Sequence, residues 1–436
     1  MYQQRRAGEA KESSTSSNSK EGDYKASISY YLREGWYRHI QEECNVHLAR
    51  RGNDTYLLFW RAVSKGFEGS IPEALRELEQ LRTKREVEYP AMAALLFFHR
   101  RVAMVDYDAC EALEAAIPMS EDGIPQVATM LAARFYTHIG RFDDASRLLN
   151  KLLGEGAAPG TPLEQQVYAL RGWAELLSQA PVPPEVEDPL TPQDPPMRPT
   201  VGAFPKGAAR DLETLMGRAR FYECHKQYPK AIDELNTAVA AAPWFWPALV
   251  ERGKLHLARG DADHCAETCG RALEGDPRNP AALRLRLLAA TVSRGVSAEA
   301  ARGLADLVGA MDEREPRNPR VLAETAKCFA RCSGRHREVL EVCLALLDRA
   351  RALRPQDGRL LCEVAYQQGL SGQYARALAT YQEAAATGDD GHGRALAGVV
   401  YCQVMEGQLE DAEGQLELLT ALHGDEDGGG ADAAAG

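Results

Sequence analysis

Apolar residues in this chain fall into pairs of stripes divided by a tight polar turn, and the stretch Gly358 to Ala386 shows the arrangement whole. Leu361, Val364 and Ala365 recur at three- and four-residue steps, the turn is Ser371-Gly372-Gln373, and Tyr374, Ala377, Tyr381 and Ala384 continue at the same spacing. That spacing predicts two helices, each with one stripe to bury. Small residues at Ala365 and Ala377 allow close approach, and Tyr374 and Tyr381 fill the space beside them. Neither helix can hide its stripe alone, so the pair needs neighbours of its own kind.

Those neighbours are present along the chain. Gly35, Tyr37, Ile40 and Cys44 return 34 residues later as Gly69, Ile71, Ala74 and Leu78, with Pro72 in the first turn of its helix. A weaker pair over about 90 to 119 joins a convincing buried helix, AMAALLFFHRRVAMV, to a segment, Asp106 to Ile117, with poor turn chemistry. The clear pair at Ala132, Ala133, Tyr136, Gly140, Phe142, Ala145 and Leu149 requires it by spacing. A helix around Val167, Leu170 and Trp173 then lacks its partner. Residues 180–207 carry too many prolines for helix or central strand, so they are expected to loop out, with Leu170 and Trp173 covered by something in or after them. From Leu212 the array is regular, with Ala231 in the small-residue slot. Pro243, Pro277, Pro316 and Pro355 are each followed six residues on by Leu249, Leu283, Leu322 and Leu361, at intervals of 34, 39 and 39. Each proline should end a second helix, and each leucine should be the first core residue of the next. Ala238, Ala272, Met311 and Ala350 stand five residues before the prolines. The longer intervals predict extended inner turns near Gly295 to Ser297 and Cys332 to Arg337. A last pair follows at Leu396, Val399, Val400, Gly407, Leu409, Ala412 and Leu416, its final helix exposing Leu409, Leu416 and Leu419.

This is the tetratricopeptide pattern with Leu361 in place of its Trp and Ala365 in place of its Gly. The expected fold is all-α, a superhelical solenoid of about eleven helix pairs, right-handed, its concave face lined by first helices. Residues 1–23 and 424–436 read as disordered tails, 24–179 and 208–423 as two runs of repeats, and 180–207 as a proline-rich insertion. With 45% hydrophobic residues the chain can bury a large interior. Lys plus Arg number 51 against 63 Asp plus Glu, a net charge of −12, which argues against general nucleic-acid binding. No apolar run is long enough for a membrane span or a signal peptide, so a soluble intracellular protein without direct membrane insertion is expected. Ten cysteines without a CxxC suit free thiols in a reducing compartment.

Several irregularities carry more information than the consensus. They are SISYYLREGWYRHI (Ser27 to Ile40), SIPEALRELEQL (Ser70 to Leu81), the aromatic turn Pro243-Trp244-Phe245-Trp246-Pro247-Ala248, the insertion Cys332-Ser333-Gly334-Arg335, and Glu406 to Ala412 followed by Gln415-Leu416-Glu417. In order, over Ser27 to His423, they resemble the N-terminal part of the tetratricopeptide repeat protein 21 family, the large repeat subunit of intraflagellar transport complex A. The resemblance implies a scaffold of the cilium or flagellum and of the cytoplasm near the basal body. It would act in retrograde, dynein-driven transport, cilium assembly and ciliary protein trafficking, with the other complex A subunits and ciliary cargo proteins as partners. Family members are longer, so this chain looks like a fragment, a truncated gene model or a short paralogue, and they carry an ordinary second helix where the proline insertion stands.

Catalytic chemistry is not visible: G-x-x-x-x-G-K, H-E-x-x-H and G-x-S-x-G are all absent. No cofactor is called for. Cys265 with Cys269, and Cys328 with Cys332, lie four apart near His264 and His336, a spacing compatible with zinc, yet Cys265 and Cys269 occupy seam slots and read better as buried small residues. Trp244, Phe245 and Trp246 exceed what one turn needs and are candidate partner contacts, as are Arg335 and Arg337 in the run Arg331, Arg335, His336, Arg337. Packing and a solvated face are the competing roles. The structural repeat positions are Ala74, Ala145, Ala231, Ala377, Ala412, Gly372, Tyr374, Pro243, Pro277, Pro316 and Pro355. A tetratricopeptide co-chaperone or adaptor that clamps peptide C-termini is the alternative function. Its inner slots should carry Lys and Asn, but here they read Val63, Arg220, Lys254, Tyr366 and Tyr401.

Overall fold

The computed structural model describes residues 24–428 apart from 103, 120–122, 156–160, 179–210, 297 and 388–391. The tail 1–23, the insertion 180–207 and residues 429–436 lie outside the described residues. Every regular element among those described is helical, which bears out the all-α expectation. The chain forms two compact units, Met1–Gly260 and Asp261–Gly436.

Unit 1 begins with α1 over residues 24–34 and continues with α2 (Tyr37–Arg51), α3 (Thr55–Phe67), α4 (Ile71–Arg82), α5 (Glu88–His99) and α6 (Tyr107–Met119). Then come α7 (Gln126–His138), α8 (Phe142–Glu155), α9 (Pro162–Leu177), α10 (Leu212–Cys224), α11 (Tyr228–Ala241) and α12 (Trp246–Ala258). The expected 34-residue period is physical: Ile40, Cys44, Ala74 and Leu78 are all fully buried, and Tyr37 and Ile71 open corresponding helices. The weak segment over 90–119 does form a pair, α5 with α6. Phe59, Phe97 and Phe135 meet edge to face across α3, α5 and α7 at 5.9 to 6.1 Å, which gives the first-helix layer a continuous aromatic seam.

Unit 2 comprises α13 (Ala262–Gly275), α14 (Pro280–Arg294), α15 (Ala298–Arg314), α16 (Pro319–Cys332), α17 (Arg337–Leu353), α18 (Gly358–Leu370), α19 (Tyr374–Ala386), α20 (His392–Glu406) and α21 (Leu409–Gly428). Leu361, Ala365, Ala377, Tyr381 and Ala384 form one core cluster with Ala395, Val399 and Cys402 of the next pair. A Cβ added at Gly398 would meet the Tyr381 ring at 2.4 Å, so this seam depends on the missing side chain. Each helix pair therefore finishes burying its stripe against the pair that follows, as repeat architecture demands.

The proline register holds at both of its ends. Pro243, Pro277, Pro316 and Pro355 each stand two residues beyond the end of α11, α13, α15 and α17. Ala238, Ala272, Met311 and Ala350 are buried, as are Leu249, Leu322 and Leu361, while Leu283 is only half-buried. The near-copies around Pro277 and Pro316 are helix-entry devices: Asn279 and Asn318 accept from the amides of Ala282 (3.0 Å) and Val321 (3.2 Å), and a proline opens each helix.

One expectation needs correction. The 39-residue intervals do not come from extended inner turns: α15 and α17 run 17 residues each against 14 in α13, so most of the added length is helix. Adding about one turn to a helix keeps its backbone groups paired, whereas a longer loop would leave them to water. The array continues across the proline insertion. Contacts run from α9 to α10 on either side of it, and the boundary between units falls after Gly260, in the turn between α12 and α13. At the other end, α21 continues to Gly428, beyond the expected tail start at 424. Within the two units the described residues thus hold nine helix pairs, together with α9, whose expected partner helix falls outside them, and α12 and α13, one on each side of the unit boundary.

The turns inside the pairs share one chain reversal. Gly35, Gly69, Gly140, Gly260, Gly372 and Gly407 have φ between 68 and 104°, the left-handed region. The amide after the glycine reaches back five residues, as in Gln373 N to Gln368 O at 2.9 Å and Gln408 N to Gln403 O at 2.9 Å. Lys226 (φ 57°) performs the same task without being glycine, with Gln227 N reaching Tyr222 O at 2.8 Å, while Arg335 (φ 70°) follows the left-handed Gly334 in a tighter turn closed by His336 N to Ser333 O at 3.0 Å.

Candidate functional site

The largest departure from an open array is the surroundings of α1. Its sequence places Tyr24, Ala26, Ile28, Tyr30, Tyr31 and Leu32 on all sides of one short helix, and all six are buried. A helix apolar all round needs protein on every side. One side is α2, with Tyr24 against His47 (5.0 Å) and Tyr31 against His39 (4.2 Å), an antiparallel hairpin. The remaining sides are supplied by first helices from much later in unit 1.

Those helices use a recurring slot, the residue directly after a small one (Ala133, Gly172 and Gly253). In α7 the slot is Arg134, whose Nη1 donates to Ser29 Oγ at 2.8 Å. In α9 it is Trp173, with the Arg33 guanidinium 3.8 Å from the ring centroid. In α12 it is Lys254, 3.7 Å from the Glu34 carboxylate. One turn away on α12, Glu251 accepts from the Tyr30 hydroxyl at 3.0 Å, although 221 residues separate the two. The inner face of unit 1 is thus closed over its own first helix.

At the centre is Glu213, second residue of α10 and 6% exposed. It accepts a bidentate pair from Arg134, both contacts 2.5 Å, and lies 3.7 Å from Arg33 Nη1. Its main-chain carbonyl accepts from Trp173 Nε1 at 3.2 Å. Burial alone would raise its pKa, but the Arg134 charge and hydrogen bonds, then Arg33, outweigh that and hold the carboxyl below its usual value. Burial lowers the pKa of Arg33, against the pull of Glu213. The Tyr30 phenol is pushed well above its ordinary value, by burial first and by the Glu251 charge second, so it is a neutral donor. Two guanidiniums around one buried carboxylate are tolerable only with near-complete pairing. The arrangement fixes a helix; it presents no nucleophile or proton-transfer pair to a substrate.

Trp173 is covered as expected, but chiefly by Arg33 from before it in the chain and by Glu213 after it. Sequence reasoning missed α1 as the occupant of the inner face; its lack of a polar side was the available signal.

The residues singled out earlier fall in three settings. In the aromatic turn Phe245 is buried at 1%, Trp246 half-buried and Trp244 39% exposed, so only Trp244 presents a broad face to solvent. Arg337 is exposed and bridges to Glu341 at 2.8 Å on its own helix, while Arg335 occupies the left-handed turn residue before α17. Cys265 and Cys269 are fully buried in the seam, Cys328 half-buried and Cys332 exposed. Among the described residues no three His, Cys, Asp or Glu converge to hold a metal. Ala74, Ala145, Ala231, Ala377 and Ala412 are buried in their slots, and Tyr374 is half-buried against Tyr401 at 6.2 Å. Leu409 (64%) and Leu416 (51%) are exposed and Leu419 half-buried. None of the described helices is long and apolar enough to cross a membrane.

Two family models match in succession: the tetratricopeptide repeat protein 21 N-terminal ARM repeat over residues 28–266, and the tetratricopeptide repeat protein 21 second ARM domain over residues 302–428. The first ends six residues past the boundary between the units. Human tetratricopeptide repeat protein 21B is 30% identical over 404 residues, covering 92% of this chain and 29% of that protein. Mouse tetratricopeptide repeat protein 21A is 29% identical over 396 residues, covering 90% and 29%. The Caenorhabditis elegans homolog is 23% identical over 403 residues, covering 91% and 29%. The chain spans under a third of the length of these relatives. Among solved structures, yeast Tom70 aligns over 91% of this chain and 97% of its own at 11% identity, with a TM-score of 0.41, a likeness that carries no functional argument.

Proposed function

Because this chain belongs to the tetratricopeptide repeat protein 21 family, we propose that it is a non-catalytic scaffold subunit of intraflagellar transport complex A. In this reading it supports retrograde transport, cilium assembly and ciliary protein trafficking, in the cilium or flagellum and the cytoplasm around the basal body. Its partners are the other complex A subunits and ciliary cargo. The observation that carries the reading is the succession of two family models, in order, along helix pairs that bury their stripes against one another. An array of that kind offers broad faces for composite protein contacts, and the buried charge cluster of unit 1 supports a structural rather than a catalytic role.

A peptide-clamping co-chaperone fits less well. In unit 1 three inner slots, Arg134, Trp173 and Lys254, already hold α1, and the exposed Arg220 is bridged to Glu223 of its own helix.

Affinity purification of the tagged chain from ciliated cells, with mass spectrometry of what accompanies it, tests the proposal. Complex A subunits should be recovered in near-stoichiometric amounts. Recovery of chaperones through acidic C-terminal peptides, lost on Lys254→Ala, would overturn it in favour of the clamp.

A further inference from the structure

On three first helices of unit 2 the slot that holds α1 in unit 1 faces solvent, whereas in α14 the corresponding residue, Leu288, is buried. Five residues after the buried leucines Leu322, Leu361 and Leu396 stand Lys327, Tyr366 and Tyr401, and all three are exposed, the tyrosines at 41% and 48%. They belong to α16, α18 and α20, the first helices of three successive pairs. The slot geometry established by Arg134, Trp173 and Lys254 places them on one inner face.

Further side chains join this row. The Arg331 guanidinium lies 5.7 Å from the Tyr366 ring centroid and 2.9 Å from Glu363. Tyr374 meets the Tyr401 ring edge to face at 6.2 Å, and burial, then Tyr374, raise the Tyr401 phenol while the charge of Arg335, exposed in its left-handed turn, pulls it back down. Lys327 and Arg335 pair with no carboxylate among the described residues. Three cations and three tyrosines are therefore gathered on one face of a chain whose net charge is −12. Aromatic and arginine side chains dominate the energetics of protein contacts, and an exposed cluster of them is unusual on a surface without a partner.

We propose that this inner face of unit 2, built on Lys327, Arg331, Arg335, Tyr366, Tyr374 and Tyr401, docks an acidic amphipathic helix from a partner protein. Unit 1 shows that the slot accepts a helix, since α1 lies against it with tyrosine and charged side chains. The cations select the sign of the occupant: carboxylates spaced one turn apart would reach Lys327 and Arg335, and an apolar edge would cover Tyr366 and Tyr401. The proposal rests on the scaffold reading, and it names the partner chemistry that one part of the scaffold takes.

The test is selection of a displayed library of 16-residue amphipathic helices on the purified full chain, followed by affinity measurement of the enriched peptides. Enriched helices should be net acidic and bind more weakly as salt is raised. Binding should fall at least tenfold in Lys327→Glu/Arg335→Glu, and likewise in Tyr366→Ser/Tyr401→Ser, with thermal melting of both variants unchanged. Several results would overturn the proposal: no enrichment, neutral or basic winners, acidic winners indifferent to the variants, dimerisation of the chain through these residues, or competition by a single-stranded 20-nucleotide RNA at the same face. Because the components are purified, failure here leaves the cellular co-purification result untouched, and the converse holds.

Discussion

Unit 1 and unit 2 are built from the same helix pairs and differ in what their inner slots meet. In unit 1, Arg134, Trp173 and Lys254 are engaged by α1, and a buried carboxylate binds the assembly at its centre. In unit 2, Lys327, Tyr366 and Tyr401 occupy the equivalent slot and face water. The contrast teaches that a repeat's outward polar positions are not neutral filler. The same slot serves as internal cement in one unit and as available surface in the other, and burial decides which.

Removing the central carboxylate should break the contrast most strongly. Glu213→Ala leaves Arg33 and Arg134 facing each other in a buried site, a loss on the order of 3–5 kcal/mol. All five tryptophans lie in unit 1, so a urea transition followed by tryptophan fluorescence reports that unit alone. Its midpoint should drop sharply. The matched change in unit 2, Glu383→Ala, removes the partner of Arg351 at a site where the two side chains are 35% and 45% exposed, and should cost under about 1 kcal/mol. Equal losses would mean that α1 is not held by the cluster.

Overpacking a seam acts in the other unit. Ala377 is fully buried between Leu361 and Tyr381, so Ala377→Trp should cost ~1–3 kcal/mol or more. In a one-dimensional stack the damage reaches adjacent pairs first. Hydrogen exchange should rise over α18 to α20 while the tryptophan signal of unit 1 stays constant. A change confined to residues before 150 would contradict the stacking account.

Acid should distinguish the units more gently. The folded carboxyl of Glu213 titrates below its usual value, so its contribution is present at neutral pH. That contribution is lost as the pH falls below ~4.3, the ordinary glutamate value, through the folded one. Asp211, which caps α10 by accepting from Thr214, is shifted the opposite way: burial, then the Glu213 charge, raise its pKa. Its protonation therefore favours the fold and partly offsets the loss. The Trp173 environment should loosen on acidification before the far-ultraviolet helix signal declines. Simultaneous loss of both would show that the cluster is not the weak point in acid.

How much of this was readable beforehand follows sequence distance. The stripes at Leu361 and Ala377, the 34-residue return of Gly35 at Gly69, and the proline register all arise from spacings within one or two repeats, and periodicity exposes such spacings directly. The 39-residue units were readable as longer but not as to where, because three extra residues in α15 or α17 leave the stripe intact. The closure over α1 had no periodic trace. Tyr30 and Glu251 are 221 residues apart, and Arg134, Lys254 and Glu213 sit on polar positions that read as solvated. Likewise Trp244, Phe245 and Trp246 read as one cluster, for packing or for a partner, whereas the turn buries Phe245 and leaves Trp244 outside.

The smallest expected effect separates stability from surface most cleanly. Lys226 in unit 1 and Arg335 in unit 2 both hold a left-handed backbone, φ 57° and 70°, a region otherwise taken by glycine among the described residues. A side chain there is strained by roughly 1–2 kcal/mol, and glycine removes the strain while adding freedom to the unfolded chain. Lys226→Gly and Arg335→Gly should therefore each stabilise their own unit by a net ~0.5–1 kcal/mol, and Gly372→Ala should cost a similar amount, since its added Cβ meets nothing within 4 Å. Stability is the only property Lys226→Gly should change. Arg335→Gly should raise stability and at the same time weaken an acidic helix bound to unit 2, because the cation it removes projects from that inner face. Thermal melts of the two variants beside their affinities for one selected peptide check both halves. If the two substitutions prove interchangeable in binding, the slot in unit 2 is no more a surface for partners than the one that α1 already fills.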